Sequence, residues 1–519
     1  MTSQLELENL LATDLVEPQR ATRARKPYKE ATQRPKTMNE VLAWETSDLF
    51  GDFDFGERPT LDDMYQTMKE LNAVKGTNGL KAVSLFSGCA GSGTGFAWSG
   101  WEELMAVEFV KAARESIHAN YPSNLVEPDD ITKYVHKWIV KNESSLEVEF
   151  TKVRNLKKHK HESIVNWEVT IEKAAARHKA TGDEKVLEDL IKLRYDTSYK
   201  ALKKVNEKGK ITLWGDDIRG LDPQAFMDVY GLKRGELDCL EGSPPCKSFS
   251  MSGIREGGWG QILHYSDERN QRTDDLFMEY VRMLKTFMPK TFIAENVAGM
   301  MMGTAGTDVV VPLLQEFDRM GYRVEAKILN SKDYGVPQSR PRVFFVGIRK
   351  DLVKKEDGSL SQFTWPNPNR HVYVLQDVLD VTKGKSPEAE LKFANIEFGP
   401  SGKEYEAGRI WKSLDIGAAP ENKAYQLMRC HPNLPVPTIT ATSANNSPAA
   451  GPTHPYECRK FTVTEYRYLF GFPSDYLFIG DLSQQGERMG RSVTPYVMKQ
   501  ISAEIAKVIL NSKLDGSEF

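Results

Sequence analysis

The sequence lacks the features that mark several large classes of protein. Its five cysteines include no Cys-x-x-Cys pair, so neither a zinc site nor a disulfide framework is predicted. No apolar run is long enough to span a membrane, and acidic residues stand near the N-terminus where a secretory signal would be basic. The net charge of -3 gives no overall basic character, so contact with nucleic acid would depend on local patches. These absences indicate a soluble intracellular protein without a metal, cytoplasmic or nuclear according to its host.

The length of 519 residues leaves room for two domains or more. Residues 1–79 are predicted to be a flexible N-terminal arm, because a basic run at 20–36 is followed by an acidic and aromatic run at 40–63. The basic run could also bind phosphates or act as a targeting signal. Globular character begins at Lys81.

A glycine-rich turn follows the first predicted strand. Residues 82–86 are a short buried-strand pattern, and the segment Ser87–Gly95 that follows carries four glycines. Strand, glycine turn and helix together can bind nucleotide-like cofactors, since free N–H groups at the helix start face the ligand. Glu108 ends a second predicted strand and could bind two ribose hydroxyls, while Asp217 ends a third and could accept the adenine amino proton. These strand ends predict an adenosine pocket; a turn that only joins a strand to a helix is the alternative.

Cys246 is the candidate nucleophile. A strand-like run ends just before residues 242–245, Gly-Ser-Pro-Pro, which form a rigid turn leading into the cysteine. Lys247 beside it would lower the pKa of the thiol and so favour the reactive thiolate. The alternative is a small buried core residue, for which a Pro-Pro turn is not needed. The glycine-rich segment 252–260 that follows predicts a loop that moves.

The remaining pattern predicts a doubly wound α/β sheet with a second, smaller domain. Residues 291–294 form a predicted strand that delivers Glu295 at its end, and further strands are predicted at 327–329 and 343–348. Periodicity weakens from residue 350 to about residue 452, a segment rich in proline, glycine and asparagine. That segment is the predicted smaller domain.

Residues 133–210 interrupt the sheet pattern. They hold nineteen Lys and Arg against twelve Asp and Glu, in a chain of net charge -3. Apolar residues recur at helical spacing at 164–177 and 186–205, which predicts a helical hairpin inserted at a loop and folded separately. Two roles for it stay open, a solvated helical pair and a phosphate-facing patch.

Taken together, these stretches resemble the ordered motif series of the DNA cytosine-5 methyltransferases. The resemblance covers residues 82–348 and 437–510. In family order it runs through FSGCAGSGTG, VE at Glu108, DI at Asp217, GSPPC, ENV, QSRPR, PTIT from Pro437 and G-x-S-V from Gly490. Each motif is common by itself, but eight of them in the family's order are specific.

The resemblance implies a doubly wound, Rossmann-like class I domain that binds S-adenosyl-L-methionine, and a smaller target recognition domain. The implied divisions are a catalytic domain at 80–349 with the insert 133–210, a target recognition domain at 350–485, a C-terminal segment at 486–512 that returns to the catalytic domain, and a tail at 513–519. The chain would act as a monomer on double-stranded DNA, transferring a one-carbon group to C5 of a cytosine flipped out of the duplex.

The family's functional residues carry over onto the matching positions. The implied catalytic residues are Cys246, which would attack cytosine C6, Glu295, which would bind N3 and the amino group, Arg342, which would contact O2, and Arg340 nearby. The implied cofactor contacts are Phe86 and Phe109 on adenine, Glu108 on ribose, Asp217 and Ile218 on the adenine edge, with Gly88, Gly91, Pro245, Arg491, Ser492 and Val493. The implied DNA contacts are Lys247, Ser250, Arg255, Gln338, Thr438 and Thr440.

Three positions depart from the family pattern. Ala90 stands where glycine is common, Lys247 where glutamine is usual, and Arg491 where asparagine is usual. A guanidinium beside the sulfonium of the cofactor would repel it, which leaves open carboxy-S-adenosyl-L-methionine as cofactor and transfer of a carboxymethyl group. An RNA substrate and an inactive DNA-binding homologue are further alternatives. These residues do not fix the target sequence or a biological role such as restriction-modification.

Overall fold

The computed structural model describes residues 60–61, 63, 78–144, 146–155, 160–245, 263–266, 269–271, 276–301, 310–353, 363–369, 371–399, 401–420, 427–444 and 451–514. Cys246, Lys247, Ser250 and Arg255 lie outside these residues, as do most of residues 1–79 and the end of the chain from 515. Leu61, within the predicted arm, is buried in the same apolar cluster as Trp98. This residue is therefore packed into the core, where a flexible arm was expected.

The described residues form sixteen strands. They are β1 (Lys81–Leu85), β2 (Glu102–Val107), β3 (Ser123–Val126), β4 (Phe150–Asn155), β5 (Lys160–Val165), β6 (Ile211–Trp214), β7 (Cys239–Gly242), β8 (Leu263–Ser266), β9 (Arg269–Gln271), β10 (Thr291–Val297), β11 (Tyr322–Asn330), β12 (Gln338–Ser339), β13 (Pro341–Arg349), β14 (Met428–Arg429), β15 (Val436–Pro437) and β16 (Pro452–Thr453).

The α-helices follow the same convention. They are α1 (Gly91–Trp98), α2 (Lys111–Asn120), α3 (Pro128–Asn142), α4 (Trp167–Thr181), α5 (Lys185–Val205), α6 (Pro223–Tyr230), α7 (Leu276–Phe287), α8 (Val311–Arg319), α9 (Lys350–Val353), α10 (Leu375–Thr382), α11 (Glu388–Ala394), α12 (Glu406–Ser413), α13 (Ala441–Ala444), α14 (Val463–Leu469), α15 (Leu482–Arg491) and α16 (Pro495–Leu514). Short 3₁₀ helices lie at Ile218–Gly220, Ala298–Met301 and Ser331–Tyr334.

An eight-stranded sheet forms the centre of the fold, in the order β11-β13-β10-β7-β1-β2-β6-β3. Its strand pairs are parallel, except that β13 runs antiparallel to both β10 and β11. From β1 the sheet is built outward in both directions, through β2 on one side and β7 on the other. This topology confirms the predicted doubly wound, Rossmann-like α/β class, and such sheets bind ligands at the strand ends near the point of reversal.

In a sheet with helices on both faces, the central strands are buried on both sides and need apolar side chains. In β1, Ala82, Val83 and Leu85 are fully buried. The last helix, α16, packs against α1, and the Trp101 indole N–H donates to the backbone oxygen of Ser502 over 3.2 Å. The end of the described chain thus returns to the first strand–helix unit.

The insert at 133–210 differs from the predicted helical hairpin. It contains most of α3, the antiparallel pair β4 and β5, and the helices α4 and α5. Trp138 and Trp167 belong to the same buried cluster as Val83 and Val107 of the sheet. The insert is therefore continuous with the main core, because its large apolar side chains need the sheet-side helices for burial.

The region predicted to be the target recognition domain consists of short elements. Between residues 363 and 480 these are α10 to α14 and strands of two residues each. Trp411 and Leu427 form a small buried cluster of their own with Ile396 and Ala407. Tyr476 instead packs on the catalytic side, where its hydroxyl donates to the backbone oxygen of Cys89 over 2.6 Å. The described ranges contain no helix with the length and apolar character needed to cross a bilayer.

Candidate active site

The carboxyl ends of five neighbouring strands carry the candidate site. Phe86 follows β1, Glu108 follows β2, residues 216–217 follow β6, and Ser243 follows β7. Glu295 lies near the end of β10. Because these strands are parallel, the side chains meet at one edge of the sheet, beside its central strand.

A pocket opens at this edge, with mostly apolar walls that also contain two carboxylates and two arginines. The lining residues are Phe86, Gly88, Val107, Glu108, Phe109, Val110, Asp216, Ile218, Ser243, Pro245, Leu276, Arg488 and Arg491. Seven of the implied cofactor contacts are among them, namely Phe86, Gly88, Glu108, Phe109, Ile218, Pro245 and Arg491.

Backbone donors hold Glu108 in place. The Val110 N–H donates to Oε1 and the Gly88 N–H donates to Oε2, each over 2.7 Å. Burial raises the pKa of Glu108, and these hydrogen bonds oppose that increase. Each carboxylate oxygen retains lone pairs that can accept a hydroxyl from a ligand. The arrangement suits the recognition of two adjacent hydroxyl groups.

Two non-glycine residues, one just before the glycine-rich turn and one within it, have left-handed backbone conformations. Phe86 has φ of 59° and Ala90 has φ of 60°. This region costs a non-glycine residue about 1–2 kcal/mol. This backbone conformation therefore explains why glycine is usual at the position of Ala90. Strain in Phe86 lies directly at the pocket wall, where strained residues often have a functional role.

Asp216, which the sequence analysis did not select, is the aspartate that lines the pocket. Asp217, which was predicted to read the adenine edge, accepts hydrogen bonds from the Arg219 backbone N–H at 3.0 Å and the Arg219 guanidinium at 2.9 Å. Two consecutive aspartates follow β6, and sequence alone does not tell which one faces the ligand.

Gly91, Ser492 and Val493 do not line the pocket but pack behind it. A Cβ atom on Gly91 would lie only 2.1 Å from the backbone oxygen of Val493. The Ser492 hydroxyl donates to the Met489 backbone oxygen over 2.7 Å. These residues join the start of α1 to the segment after α15 and so shape the pocket indirectly.

Glu295 and Arg342 form an ion pair at the end of β10. Nε of Arg342 lies 3.2 Å from Oε1 of Glu295, and both groups are mostly buried. Burial raises the pKa of Glu295, while Arg342 and, more weakly, Arg340 lower it. The next residue, Asn296, donates from Nδ2 to the Pro244 backbone oxygen over 3.2 Å. The ion pair is thereby linked to the turn that precedes Cys246.

Arg340 and Gln338 are buried and hydrogen-bond to the protein's own backbone, while the catalytic and DNA-binding roles expected of them stay predictions. The Arg340 guanidinium donates to the backbone oxygens of Ile439, Gly490 and Ser492 at 2.9–3.0 Å. Gln338 is fully buried; its side-chain N–H₂ group donates to the Leu469 oxygen and its Oε1 accepts from the Ile439 N–H. Both residues join segments that are distant in sequence, and Nε of Arg340 is buried without a hydrogen-bond partner among the described residues.

Comparison with known proteins identifies the family. A model of the C-5 cytosine-specific DNA methylases matches residues 181–507, which is more than half of the chain. The chain belongs to this family. The resemblance of its motifs to the cytosine-5 methyltransferases is thereby confirmed.

Three bacterial members of the methyltransferase class illustrate the similarity. The chain is 28% identical over 347 residues to the type II methyltransferase M.DdeI of Desulfomicrobium norvegicum, covering 58% of this chain and 79% of that one. It is 31% identical over 329 residues to M.NgoPII of Neisseria gonorrhoeae, covering 61% of this chain and 88% of that one. It is 29% identical over 300 residues to M.FnuDI of Fusobacterium nucleatum, covering 56% of this chain and 81% of that one.

In this DNA methylase, the two threonines expected to bind DNA are only partly buried. Thr438 donates from Oγ1 to the Ser339 backbone oxygen over 2.7 Å. Thr440 accepts a hydrogen bond from Ser443 N–H on its own Oγ1 at the start of α13. Their DNA contacts stay a prediction. No group of three or more potential metal ligands occurs in the part of the methylase that the structure describes.

Two arginines of α15 share one carboxylate at the pocket wall. Arg491 donates from Nε and Nη2 to Oε1 of Glu487 at 2.9 and 2.7 Å. Arg488 donates from Nη2 to Oε2 of the same residue at 2.9 Å. Arg488 is 5% exposed, and its Nε has no partner among the described residues. Arg488 was not among the predicted site residues, although it precedes Arg491 by one helical turn.

Glu241 is a second group that the sequence analysis missed. It lies in β7 at 1% exposure, directly before the turn that leads to Cys246. The Ser92 hydroxyl donates to its Oε1 over 2.8 Å, and the Ser84 hydroxyl also interacts with this carboxyl group. Burial raises the pKa of Glu241 to about 8, with a further increase from Glu103 and Glu295. A mostly protonated carboxyl group therefore lies beneath the site at neutral pH.

Proposed function

We propose that this methylase transfers a methyl group from S-adenosyl-L-methionine to C5 of a cytosine flipped out of double-stranded DNA, through a covalent bond between Cys246 and C6. The observation that carries the proposal is the Glu295–Arg342 pair, joined through Asn296 to the turn before Cys246. A carboxyl group and a guanidinium side by side offer complementary hydrogen-bonding groups for one edge of a cytosine.

The pocket residues fit the nucleoside part of this cofactor. Phe86, Phe109 and Ile218 give it apolar walls that can enclose a flat purine ring. Glu108 presents its two fixed oxygens to the ribose hydroxyls. When bound, S-adenosyl-L-methionine supplies an electrophilic methyl group. Pro245, the residue before Cys246 in the sequence, lines the same pocket.

The chain's own groups would activate the base. C5 of cytosine is a weak nucleophile until a thiolate adds to C6, which moves the π electrons of the C5–C6 bond onto C5 and, through conjugation, onto N3. Glu295 would hold a proton at N3 and neutralise that charge, a task that its raised pKa favours. After transfer, loss of the C5 proton and departure of the Cys246 thiolate restore the C5–C6 double bond.

Mass spectrometry of nucleosides tests this proposal. Duplex DNA and a structured RNA are each incubated with the cofactor and either the parent protein or Glu295→Gln. The proposal expects 5-methyldeoxycytidine from DNA and little of it from the variant. A product from RNA alone would favour an RNA methyltransferase. DNA binding without any product would favour an inactive homologue.

A second candidate function, carboxymethyl transfer, is favoured by the arginines of the pocket wall. Arg488 and Arg491 of α15 share the single carboxylate of Glu487, while the two carboxylates that line the pocket, Glu108 and Asp216, lie at the ends of β2 and β6. A sulfonium cofactor adds another positive charge, and like charges in such a site repel by the order of a few kcal/mol. A carboxylate on the transferred group would instead be attracted, since a guanidinium can hold it with two hydrogen bonds. Methyl transfer remains the first proposal, because Glu487 already occupies two of the Arg491 donors.

Competition between the two cofactors decides between these functions. S-adenosyl-L-methionine and carboxy-S-adenosyl-L-methionine are supplied together, the product is weighed, and each affinity is measured by calorimetry. Methyl product alone, unchanged in Arg491→Asn, supports methyl transfer. Carboxymethyl product that disappears in Arg491→Asn, together with a loss of affinity for the carboxylated cofactor, supports the second function.

A further inference from the structure

The insert, residues 133–210, contacts the wall of the cofactor pocket from behind. We propose that Ser198 and Trp167 of the insert are positioning residues for cofactor binding. They act through the pocket loop, defined as residues 216–222, whose members Asp216 and Ile218 line the pocket. The inference rests on the proposed function, in which the ligand of this pocket is S-adenosyl-L-methionine.

The Ser198 hydroxyl acts both as a donor and as an acceptor of hydrogen bonds to the pocket loop. It donates to the Gly220 backbone oxygen over 3.1 Å and accepts from the Asp222 backbone N–H over 3.0 Å. Ser198 is fully buried in α5, so no solvent can replace it. A loop backbone held at both a donor and an acceptor has little freedom to shift toward or away from the ligand.

Trp167 fixes the same loop by close packing. A Cβ atom on Gly220 would lie 2.2 Å from Nε1 of Trp167, so the indole ring rests directly on the glycine. Trp167 is 1% exposed and begins α4. Only glycine allows this approach, and any shift of the indole would be transmitted to the 3₁₀ turn Ile218–Gly220.

The insert also places a charge beside the loop. Burial lowers the pKa of Arg194 in α5 to about 10, with Arg282 contributing, while Glu279, Asp222 and Asp217 oppose that decrease. Arg194 is therefore close enough to the loop aspartates to interact with them. From the other side, Arg282 of α7 donates to the backbone oxygens of Ile218 and Leu221 at 3.0 and 3.1 Å. The loop is thus held between α7 and the insert.

This role differs from the two that the sequence left open for the insert. A solvated helical pair would not contact the pocket, and a phosphate-facing patch would act on DNA affinity. The contacts of Ser198 and Trp167 instead predict that the insert controls cofactor affinity. Point variants are therefore used instead of a deletion, since removing residues 133–210 would remove part of the main core.

Calorimetry with S-adenosyl-L-methionine and with S-adenosyl-L-homocysteine measures the effect. Ser198→Ala is expected to raise both dissociation constants about tenfold, from the loss of two buried hydrogen bonds to the loop. Gly220→Ala, which displaces the indole, is expected to act in the same direction. The dissociation constant for duplex DNA, measured by fluorescence anisotropy, should change less than twofold.

Ser144→Ala is the matched control within the insert. Its hydroxyl also makes two hydrogen bonds, donating to Asp189 at 2.6 Å and accepting from the Leu146 N–H at 3.1 Å, but it does not touch the loop. Unchanged cofactor affinity in Ser144→Ala and lower affinity in Ser198→Ala support the proposal. Equal effects of the two variants, or no effect of Ser198→Ala and Gly220→Ala, would overturn it. Binding needs no chemistry, so this result is independent of whether a C5 product is found.

Discussion

The side-chain amide of Asn296 donates to the backbone oxygen of Pro244 over 3.2 Å. Oδ1 of the same amide accepts from the Val297 N–H over 2.9 Å, so both ends of the group are fixed. Asn296 is 5% exposed, and it directly follows Glu295 in β10. The hydrogen bond therefore fixes the backbone at Pro244 relative to Glu295, the carboxyl group that binds the base in the proposed mechanism.

Removing this bond is expected to slow the chemical step. Asn296→Ala should lower the single-turnover rate about 10- to 100-fold, because small misplacements of reacting groups cost rate steeply. Cofactor affinity should stay unchanged, since Asn296 is not part of the pocket wall. Asn296→Asp keeps the acceptor and loses the donor, so the same loss is expected. If either variant kept the single-turnover rate of the parent, the hydrogen bond would not be needed for catalysis.

Glu295 is expected to act as a proton donor to the base. Glu295→Gln should lower kcat about 10²- to 10⁴-fold, because an amide cannot hold a transferable proton at N3. In the parent, burial raises the pKa of Glu295, so the rate should fall as pH rises through that value and Glu295 loses its proton. Rate measurements from pH 5 to pH 10 check this decline. A variant that kept the same profile at a slightly lower rate would argue against the assigned role.

Arg340 is expected to affect stability more than chemistry. Arg340→Met should lower the free energy of unfolding by about 3 kcal/mol or more, because it leaves three buried backbone oxygens without a donor. Urea unfolding monitored by circular dichroism measures the change. Arg342→Met, which breaks the pair with Glu295, is the comparison and should lose activity with a smaller loss of stability. The opposite order would support the catalytic role that the sequence predicted for Arg340.

Glu241 is expected to make stability depend on pH. In the unfolded chain its pKa returns to about 4.3, whereas burial raises it to about 8 in the folded protein. Between these values the folded state binds more protons than the unfolded state, so stability falls as pH rises, by at most about 1.4 kcal/mol per pH unit. Glu241→Gln removes this dependence. Its stability relative to the parent should therefore be greater at pH 8 than at pH 5 in urea unfolding, and an equal difference at both would contradict the burial effect.

The sequence predicted the parts of this protein that follow from local pattern. Buried strands followed by glycines or carboxylates predicted the doubly wound sheet and the strand ends at Glu108 and Glu295. The insert was less predictable, because β4 and β5 have polar, charged sequences that resemble neither a buried strand nor a loop. Their pairing with each other is a tertiary effect that sequence spacing does not show.

The sequence also could not predict in which direction individual side chains of the site would point. Motif matching placed Arg340 and Gln338 in the site, yet the chain turns both toward backbone groups of Ile439 and its neighbours. The choice between Asp216 and Asp217 depends on the 3₁₀ turn that follows β6, which directs the second carboxylate to Arg219. Arg488 and Glu241 belong to no recognised motif. They stand out only in the structure, where Arg488 is buried beside the pocket and Glu241 is buried beside the turn.

The covalent bond at Cys246 is the central claim, and trapping tests it most directly. Duplex DNA that carries 5-fluorocytosine in its target sites is incubated with the protein and S-adenosyl-L-methionine, and the denatured mixture is examined by intact mass spectrometry. Fluorine at C5 cannot leave as a proton does, so the elimination step is blocked and the adduct persists. We predict a protein–DNA adduct whose bond maps to Cys246 after digestion, and its loss in Cys246→Ala. An adduct that forms equally in Cys246→Ala, or methylated product without any adduct in the parent, would contradict the account.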